Sequence, residues 1–286
     1  MFLPVFLTVG AFYYLPMLGV RFAFYKYTPF TPEPIFVGLD QFKKLWTMPS
    51  FWTAFENTIV MSLVNLALSM LFSVGIALLL NEISHLFVKR VVQTLIYLPH
   101  FISWVVVASI FMIILSPSNG MVNSFLVATG IIKEPIYFMA ENDWWRFMFY
   151  FINRWKETGW GTVIFLASLS GISPELYEAA GIDGAGRWKQ TLHITIPGIM
   201  STFVVVLILN LAKVLNLFES VLVLYNDKVF NVADVIQTYV YRMSLVAPTP
   251  DYGYTTAVGL FKSLVSCVLV LGSDWVSKKV RGSGLV

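Results

Sequence analysis

Six long runs of apolar residues, separated by polar and turn-rich segments, set the pattern of this chain. About 20 consecutive apolar residues cross the hydrocarbon core of a bilayer as a helix, and each run reaches that length. The pattern predicts transmembrane helices at Phe2 to Phe24, Ala54 to Leu80, Val91 to Leu115, Trp145 to Leu169, Gly198 to Leu224 and Tyr254 to Trp275. The predicted fold class is all-α integral membrane, with residues 1–286 forming one transmembrane domain.

The connections between the runs predict shorter elements. Tyr27 to Pro34 contains three prolines, which remove backbone donors, so this segment is expected to be non-helical. Ser116 to Gly120 and Ala247 to Asp251 are rich in turn-forming residues. Phe42 to Trp46 combines aromatic and basic residues, which is typical of a short helix at a membrane interface.

Lysine and arginine residues near the helix ends bear on orientation. The two sides of the membrane carry nearly equal numbers of these residues. One set lies in the shorter connections, which weakly favours a cytoplasmic position for that side and places both termini inside. That set is Lys89, Arg90, Arg187, Lys189, Lys278, Lys279 and Arg281. The first run lacks a basic stretch before it and a clear cleavage site, so it predicts a transmembrane helix and not a secretory signal.

Composition supports lipid as the solvent and excludes several classes of protein. The chain is 57% apolar and 12% charged, with a mean hydropathy of +0.74, whereas about 25% of residues are charged in ordinary soluble domains. A net charge of +3 supplies no basic stripe for nucleic acid. The single cysteine, Cys267, builds no disulfide framework and is expected to be a buried apolar residue. No Walker-type phosphate loop occurs, so any ATPase must be another chain.

One connection, about residues 173–197, differs from the others. Ser173 is a good N-cap, Pro174 suits the first helical position, and Glu175 suits the first turn, so a short helix is expected through Ala180. Glycines then allow a sharp turn, and Pro197 is expected to start the fifth membrane helix. The small side chains on this short helix fit a docking element for another protein. A plain connecting loop is equally compatible with these residues.

The spacing within this segment resembles the signature of permease subunits of bacterial ABC importers. The signature reads E-A-A, three residues, G, nine residues, I, one residue, L, P, and here Ile196 replaces the usual leucine. The resemblance implies that the short helix is a cytoplasmic coupling helix that docks on an ATPase subunit. The residues that it assigns to ATPase coupling are Glu178, Ala179, Ala180, Asp183, Gly184 and Arg187.

Further segments resemble the sugar branch of that family, of the maltose and glycerol-phosphate type. Four segments are similar to permeases for pectic or alginate oligosaccharides, namely Tyr97 to Trp104, Trp155 to Trp160, Asp234 to Arg242 and Thr256 to Lys262. The resemblance implies a type I ABC importer permease fold in a bacterial plasma membrane. It also implies a second homologous permease chain, two ATPase subunits that hold ATP and Mg, and an extracellular or periplasmic solute-binding protein. This chain itself would hold no cofactor and have no catalytic residue.

Polar side chains inside the predicted spans are candidates for the substrate path. Such groups are costly in lipid and usually face a cavity or a partner. The candidates are Asn210, Lys213, Asn216, Glu219, Arg154 and Lys156, with Lys262 as a further one. In a continuous fifth helix, Asn210 would lie about 20 Å from Pro197, and the spacing by threes would keep Asn210, Lys213 and Asn216 near one face. Pairing among these groups or with a partner subunit is the other interpretation, and it is favoured for Glu157.

The small excess of basic over acidic residues in the spans suggests that the transported oligosaccharide carries uronic acids. Other possibilities are an ABC permease for a different solute, an ion-driven secondary transporter or a membrane-embedded enzyme. A secondary transporter predicts internal repeats, which are not evident. An enzyme needs a paired nucleophile and base or paired carboxylates, which the spans lack. His85, His100 and His193 are isolated along the chain, so no metal site is expected.

Overall fold

The computed structural model of the protein describes residues 2–30 and 33–281, and the described part is mainly helical. The helices in chain order are α1 (Phe2–Phe24), α2 (Asp40–Thr47), α3 (Pro49–Glu82), α4 (Leu86–Phe101), α5 (Trp104–Ile114), α6 (Met121–Ala128), α7 (Asn142–Ser170), α8 (Pro174–Ile182), α9 (Arg187–Leu211), α10 (Glu219–Leu224), α11 (Phe230–Ala233), α12 (Ile236–Tyr241) and α13 (Tyr252–Arg281). Strands β1 (Tyr25–Lys26) and β2 (Ile35–Phe36) pair antiparallel, with Tyr25 opposite Phe36.

Several of these helices depart locally from α geometry. Turns of π-helix occur at Gly10–Tyr14 in α1, at Thr191–Thr195 in α9, and at Arg242–Val246 directly after α12. Turns of 3₁₀-helix form Leu18–Phe24 at the end of α1, Leu98–Phe101 at the end of α4, and Asp227–Val229 before α11.

Four helices in the described ranges are long and apolar enough to cross a membrane: α1, α3, α9 and α13. The bent pair α4 and α5 would make a fifth. Helix α7 is also long, at 29 residues, but it contains five charged residues: Asp143, Arg146, Arg154, Lys156 and Glu157. The predicted first, second, fourth and sixth helices are confirmed as helices, whereas the total of six spans stays a prediction.

The prediction of one continuous helix from Val91 to Leu115 is wrong. The chain breaks after Phe101, and the axes of α4 and α5 differ by 102°. Pro99 lacks a backbone N–H and lies in the 3₁₀ turn that ends α4. Ser103 then caps α5, because its hydroxyl accepts a hydrogen bond from the N–H of Val106 at 3.4 Å. Apolar composition does not reveal such a break, since the residues on both sides of it are mainly apolar.

The prediction of a helix from Gly198 to Leu224 is wrong at both ends. Helix α9 already begins at Arg187 and runs through Pro197, because the π turn before the proline shifts the hydrogen-bond register. The helix ends at Leu211, and residues 212–218 form turns and irregular chain before α10. Apolar residues in this stretch, such as Leu215 (2% exposed), are buried by tertiary packing and not by helical continuation.

Most of the predictions for shorter segments are confirmed. The segment Phe42 to Trp46 lies within α2. Ser116 to Gly120 and Ala247 to Asp251 are turns or irregular chain, as expected. In Tyr27 to Pro34, residues 31 and 32 lie outside the described residues, and the others are non-helical. Cys267, predicted to be buried, is exposed on α13.

Helices α3 and α7 form the centre of the bundle, and its two ends are identified by polar contacts. At one end, the Arg187 guanidinium lies 3.0 Å from the Glu82 carboxylate, which joins the start of α9 to the end of α3. At the other end, Lys44 lies 2.8 Å from Asp251. The N–H of Tyr252 there donates to the carbonyl of Tyr27. The connection containing α8 therefore lies at the end opposite the start of α13.

A buried polar network fixes the segment around α11 and α12 against α3. The Asp234 carboxylate is 2% exposed and accepts hydrogen bonds from Arg242 at 2.6 Å and Thr238 at 2.8 Å. Burial raises the pKa of the Asp234 carboxyl above its usual range, while the hydrogen bond from Thr238 and the charge of Arg242 act in the opposite direction. The Asn57 amide on α3 donates to the Asp234 carbonyl, and Arg146 donates to the Asn57 side chain.

Close packing of α7 on α4 depends on Gly159. A Cβ atom there would overlap the backbone carbonyl of Ile96. We expect Gly159→Ala to lower the free energy of unfolding by about 1–3 kcal/mol, the usual cost of overpacking. Gly75→Ala on α3 is the matched control, because a Cβ at Gly75 meets no atom within 4 Å and alanine favours the helix. Thermal unfolding of the purified protein in detergent measures the stability of both variants. Equal melting temperatures of the two variants would contradict the packing argument.

Candidate coupling segment and substrate path

Local chemistry defines both ends of α8. The Ser173 hydroxyl accepts from the N–H of Glu175 at 3.3 Å, and Pro174 occupies the first turn. The helix ends at Ile182, two residues beyond the predicted Ala180. Gly184 then has a φ of +77°, and the N–H of Ala185 donates to the Ala180 carbonyl at 2.8 Å. The helix therefore ends on a residue in the left-handed conformation, which strongly favours glycine at position 184.

Three side chains that the sequence did not single out attach α8 to the base of α9. The Tyr177 hydroxyl lies 3.1 Å from the hydroxyl of Thr195, which is 3% exposed. The Gln190 amide donates to the Ala185 carbonyl at 3.1 Å. Together with the Arg187–Glu82 pair, these contacts hold α8, α9 and α3 in one local assembly.

The predicted coupling residues lie on an accessible surface. Glu178, Ala179, Asp183, Gly184 and Arg187 are exposed, and Ala180 is half-buried. Large apolar side chains are exposed on the same segment, including Ile182 at 88% and Trp188 at 76%. Exposed apolar groups around a capped helix fit a protein-docking surface better than a plain loop.

A cavity of about 180 Å³ brings together three of the six predicted path residues. We call it the polar cavity. It is lined by Ser62, Asn65, Leu66 and Ser69 of α3 and by Asn210, Lys213, Val214, Asn216 and Leu217 at the end of α9 and beyond it. The argument from one helical face fails, because Lys213 and Asn216 lie past the end of α9. The irregular chain nevertheless places them beside Asn210.

Two further cations reach the polar cavity through asparagine side chains. Arg154 is 7% exposed, and its Nη2 donates to the Asn65 amide oxygen at 2.8 Å. The Lys262 ammonium donates to the Asn216 amide oxygen at 2.6 Å. Within the described residues, neither of these cations nor Lys213 has a carboxylate at ion-pair distance. Neutral amides thus hold the cations in place without cancelling their charge.

Lys156 and Glu157 lie in a different cluster. The Lys156 ammonium donates to the His100 carbonyl at 2.7 Å and lies 3.3 Å from the Glu157 carboxylate. The other Glu157 oxygen is 2.8 Å from His100 Nδ1. This cluster braces the break between α4 and α5, and the preference for Glu157 as an ion-pair partner is confirmed. The sixth predicted path residue, Glu219, is exposed at the start of α10 and does not line the polar cavity.

The face that α3 contributes to the polar cavity was not identified from the sequence. Ser62, Asn65 and Ser69 are spaced by three and four residues, so they share one side of the helix. Three small polar residues at that spacing in an apolar helix are a usable signal for an internal polar surface.

This chain is similar to known proteins in sequence and in structure. The model of the family described as binding-protein-dependent transport system inner membrane component matches residues 69–282. Protein LplB of Bacillus subtilis (strain 168) is 42% identical over 277 residues, which cover 96% of this chain and 86% of the relative. The polygalacturonan/rhamnogalacturonan transport system permease protein YteP of the same strain is 40% identical, with coverage of 100% and 88%. A chain in the crystal structure of a bacterial alginate ABC transporter in complex with alginate pentasaccharide-bound periplasmic protein superposes with a TM-score of 0.90 at 35% identity, covering 100% of this chain and 95% of that chain.

Proposed function

Since this chain belongs to the family of binding-protein-dependent transport system inner membrane components, we propose that it forms one half of the membrane path of an ATP-driven importer for an acidic oligosaccharide. Membership makes it a multi-pass membrane permease and not an enzyme. The other half of the path would be a second, homologous permease chain. Two ATPase subunits with bound ATP and Mg would lie at the cytoplasmic side, one of them docked on residues 173–197 of this chain. A solute-binding protein would deliver the sugar from the other side.

The unneutralised cations at the polar cavity carry the substrate part of the proposal. Lys213 lines this cavity, and Arg154 and Lys262 donate to the side chains of Asn65 and Asn216, which line it. None of the three cations has a carboxylate at ion-pair distance among the described residues. Uronic acid units carry carboxylates, which form short, strong hydrogen bonds with ammonium and guanidinium groups. The names of two similar proteins, which concern polygalacturonan and alginate, support the same class of substrate.

The attachment of α8 to α9 and α3 supports the coupling part of the proposal. A docked ATPase subunit would move α8, and the contacts through Tyr177 and Gln190 would pass that movement to α9. Helix α9 ends at the polar cavity, so closure of the ATPase pair would change the surroundings of Asn210. ATP hydrolysis would then return the path to its first state.

Reconstitution with the partner permease, the ATPase subunits and the binding protein tests this function. We expect a galacturonate oligosaccharide, presented by the binding protein, to stimulate ATP hydrolysis by about tenfold, which corresponds to about 1.4 kcal/mol of barrier. A neutral oligosaccharide of equal length is the control and is expected to stimulate far less. Equal stimulation by both sugars would contradict the acidic substrate. Stimulation by another class of solute alone, or an absence of ATPase activity from the complex, would contradict the oligosaccharide importer.

A further inference from the structure

A second cavity of about 590 Å³ lies between α12, α13 and the end of α1. Its polar or aromatic lining includes Phe218, Gln237, Tyr241, Ser244 and Lys262. This volume falls within the range of small-molecule sites, which combine apolar walls with a few directed polar groups. Of the residues that the sequence suggested for the substrate path, Lys262 lines this cavity and the other six do not.

The polar groups of the second cavity have unused hydrogen-bonding capacity. Gln237 Oε1 is buried and has no hydrogen-bond partner among the described residues. Buried acceptors normally have a partner, so this oxygen calls for a donor from a ligand. Lys262 bonds to Asn216 through one of its three N–H groups. The rings of Phe218 and Tyr241, 5.6 Å apart, supply an aromatic wall.

Lys262 connects the second cavity with the polar cavity. Its side chain lines the second cavity, and its ammonium is bound to Asn216, which lines the polar cavity. The second cavity also lies toward the end of the bundle opposite α8, because it contacts α13 between Thr256 and Ser263, within its first twelve residues. A chain-like ligand that enters from that end would meet the second cavity first.

We propose that the second cavity is a sugar subsite that receives one end of an acidic oligosaccharide, in which Lys262 binds a uronate carboxylate and Gln237 accepts a hydrogen bond from a sugar hydroxyl. The proposal rests on the function proposed above. Hydroxyl donors suit the free amide oxygen, and a carboxylate suits the ammonium without a carboxylate partner. A lipid acyl chain would use neither group.

Oligosaccharides of different length distinguish binding at this subsite from binding at the polar cavity. A long uronate oligomer reaches both cavities, whereas a disaccharide fills only one. With saturating loaded binding protein, we expect Gln237→Leu to lower the uptake rate of a hexamer by about fivefold, the effect of one lost hydrogen bond, and to leave that of a disaccharide unchanged. Gln93→Leu, the same change on α4 away from both cavities, is the control. Equal losses at both lengths, or no loss at either, would overturn the subsite.

Thiol labelling tests occupancy directly. In a Cys267→Ala background, Ser263→Cys places a thiol on the wall of the second cavity, and Ser266→Cys places one outside its lining. We expect a uronate hexamer, trapped with vanadate, to slow labelling at position 263 by about fivefold and to leave position 266 unaffected. Protection by lipid without sugar would overturn the subsite in favour of a lipid site. If the wild type transports and hydrolyses normally with uronate oligomers, failure here concerns the subsite alone, whereas no response of the wild type overturns both proposals.

Discussion

Replacing Gly184 with valine is expected to lower sugar-stimulated ATP hydrolysis in the reconstituted complex by at least about tenfold. The turn after α8 has φ = +77° at this glycine, a conformation that costs a β-branched residue about 1–3 kcal/mol. The helix ending through the Ala185 N–H and the Ala180 carbonyl would be lost, and the docking surface would shift. Gly184→Asn is the matched control, because asparagine tolerates the left-handed conformation, and it is expected to keep most of the stimulation.

Basal hydrolysis and thermal stability decide how this result is interpreted. A Cβ atom at Gly184 meets no other atom within 4 Å, so neither variant is expected to disturb the membrane bundle. A valine variant with normal stability and lost stimulation would support coupling through α8. Full stimulation in the valine variant would show that this turn geometry is not required.

Lys213→Met is expected to reduce uptake of an acidic oligosaccharide by about ten- to a hundredfold, the effect of removing one hydrogen bond to a charged group. Lys213 lines the polar cavity and has no carboxylate partner in the described part of the chain, so its charge is available to a substrate. Lys213→Arg keeps the charge and is expected to retain much of the uptake. The measurement is the initial rate of uptake of a labelled uronate oligomer into proteoliposomes.

Two companion variants locate the effect. Lys133→Met removes an exposed lysine away from the cavity and is expected to leave uptake unchanged. Asn65→Asp places a carboxylate beside Arg154 and is expected to reduce uptake of acidic but not neutral oligomers, because it cancels a charge without removing a side chain. Unchanged uptake in the Lys213→Met variant would remove the electrostatic argument for a uronate substrate.

The membrane helices were predictable where turn-forming residues mark their ends. Helices α1, α3 and α13 follow long apolar runs that are bounded by such residues. The breaks within apolar runs were not predictable from hydropathy. Leu98 to Ser103 and residues 212–218 remain apolar enough to be interpreted as helix. The first segment breaks at Pro99 and at the Ser103 cap, which hydropathy does not register, and in the second segment residues such as Leu215 are buried by tertiary packing. Conversely, the proline at position 197 suggested a helix start, but a π turn accommodates it inside α9.

The candidate site shows a similar division. The N-cap of α8, the glycine in the turn after it and its exposed position depend on local chemistry, so they could be predicted from the sequence. The side chains that attach α8 to α9, such as Tyr177, depend on contacts between segments, which hydropathy and motif spacing do not contain. Asn210, Lys213 and Asn216 do meet in one cavity, although not through the helical face that suggested them. Lys156 also fits the rule that buried charges find partners, and its partners lie at the break between α4 and α5.

The attachment of α8 to the base of α9 gives the chain a mechanical property. From Thr195 to Asn210, α9 is about 22 Å long at 1.5 Å per residue, and in the proposed coupling it would act as a lever arm. A tilt of about 5° at the docking surface then displaces the tip beside the polar cavity by about 2 Å, which is the scale of helix shifts in known switching transitions. A displacement of this size would lengthen a direct hydrogen bond enough to break it. In the proposed importer, a small stroke by an ATPase subunit would therefore be sufficient to release a sugar from the far end of the arm.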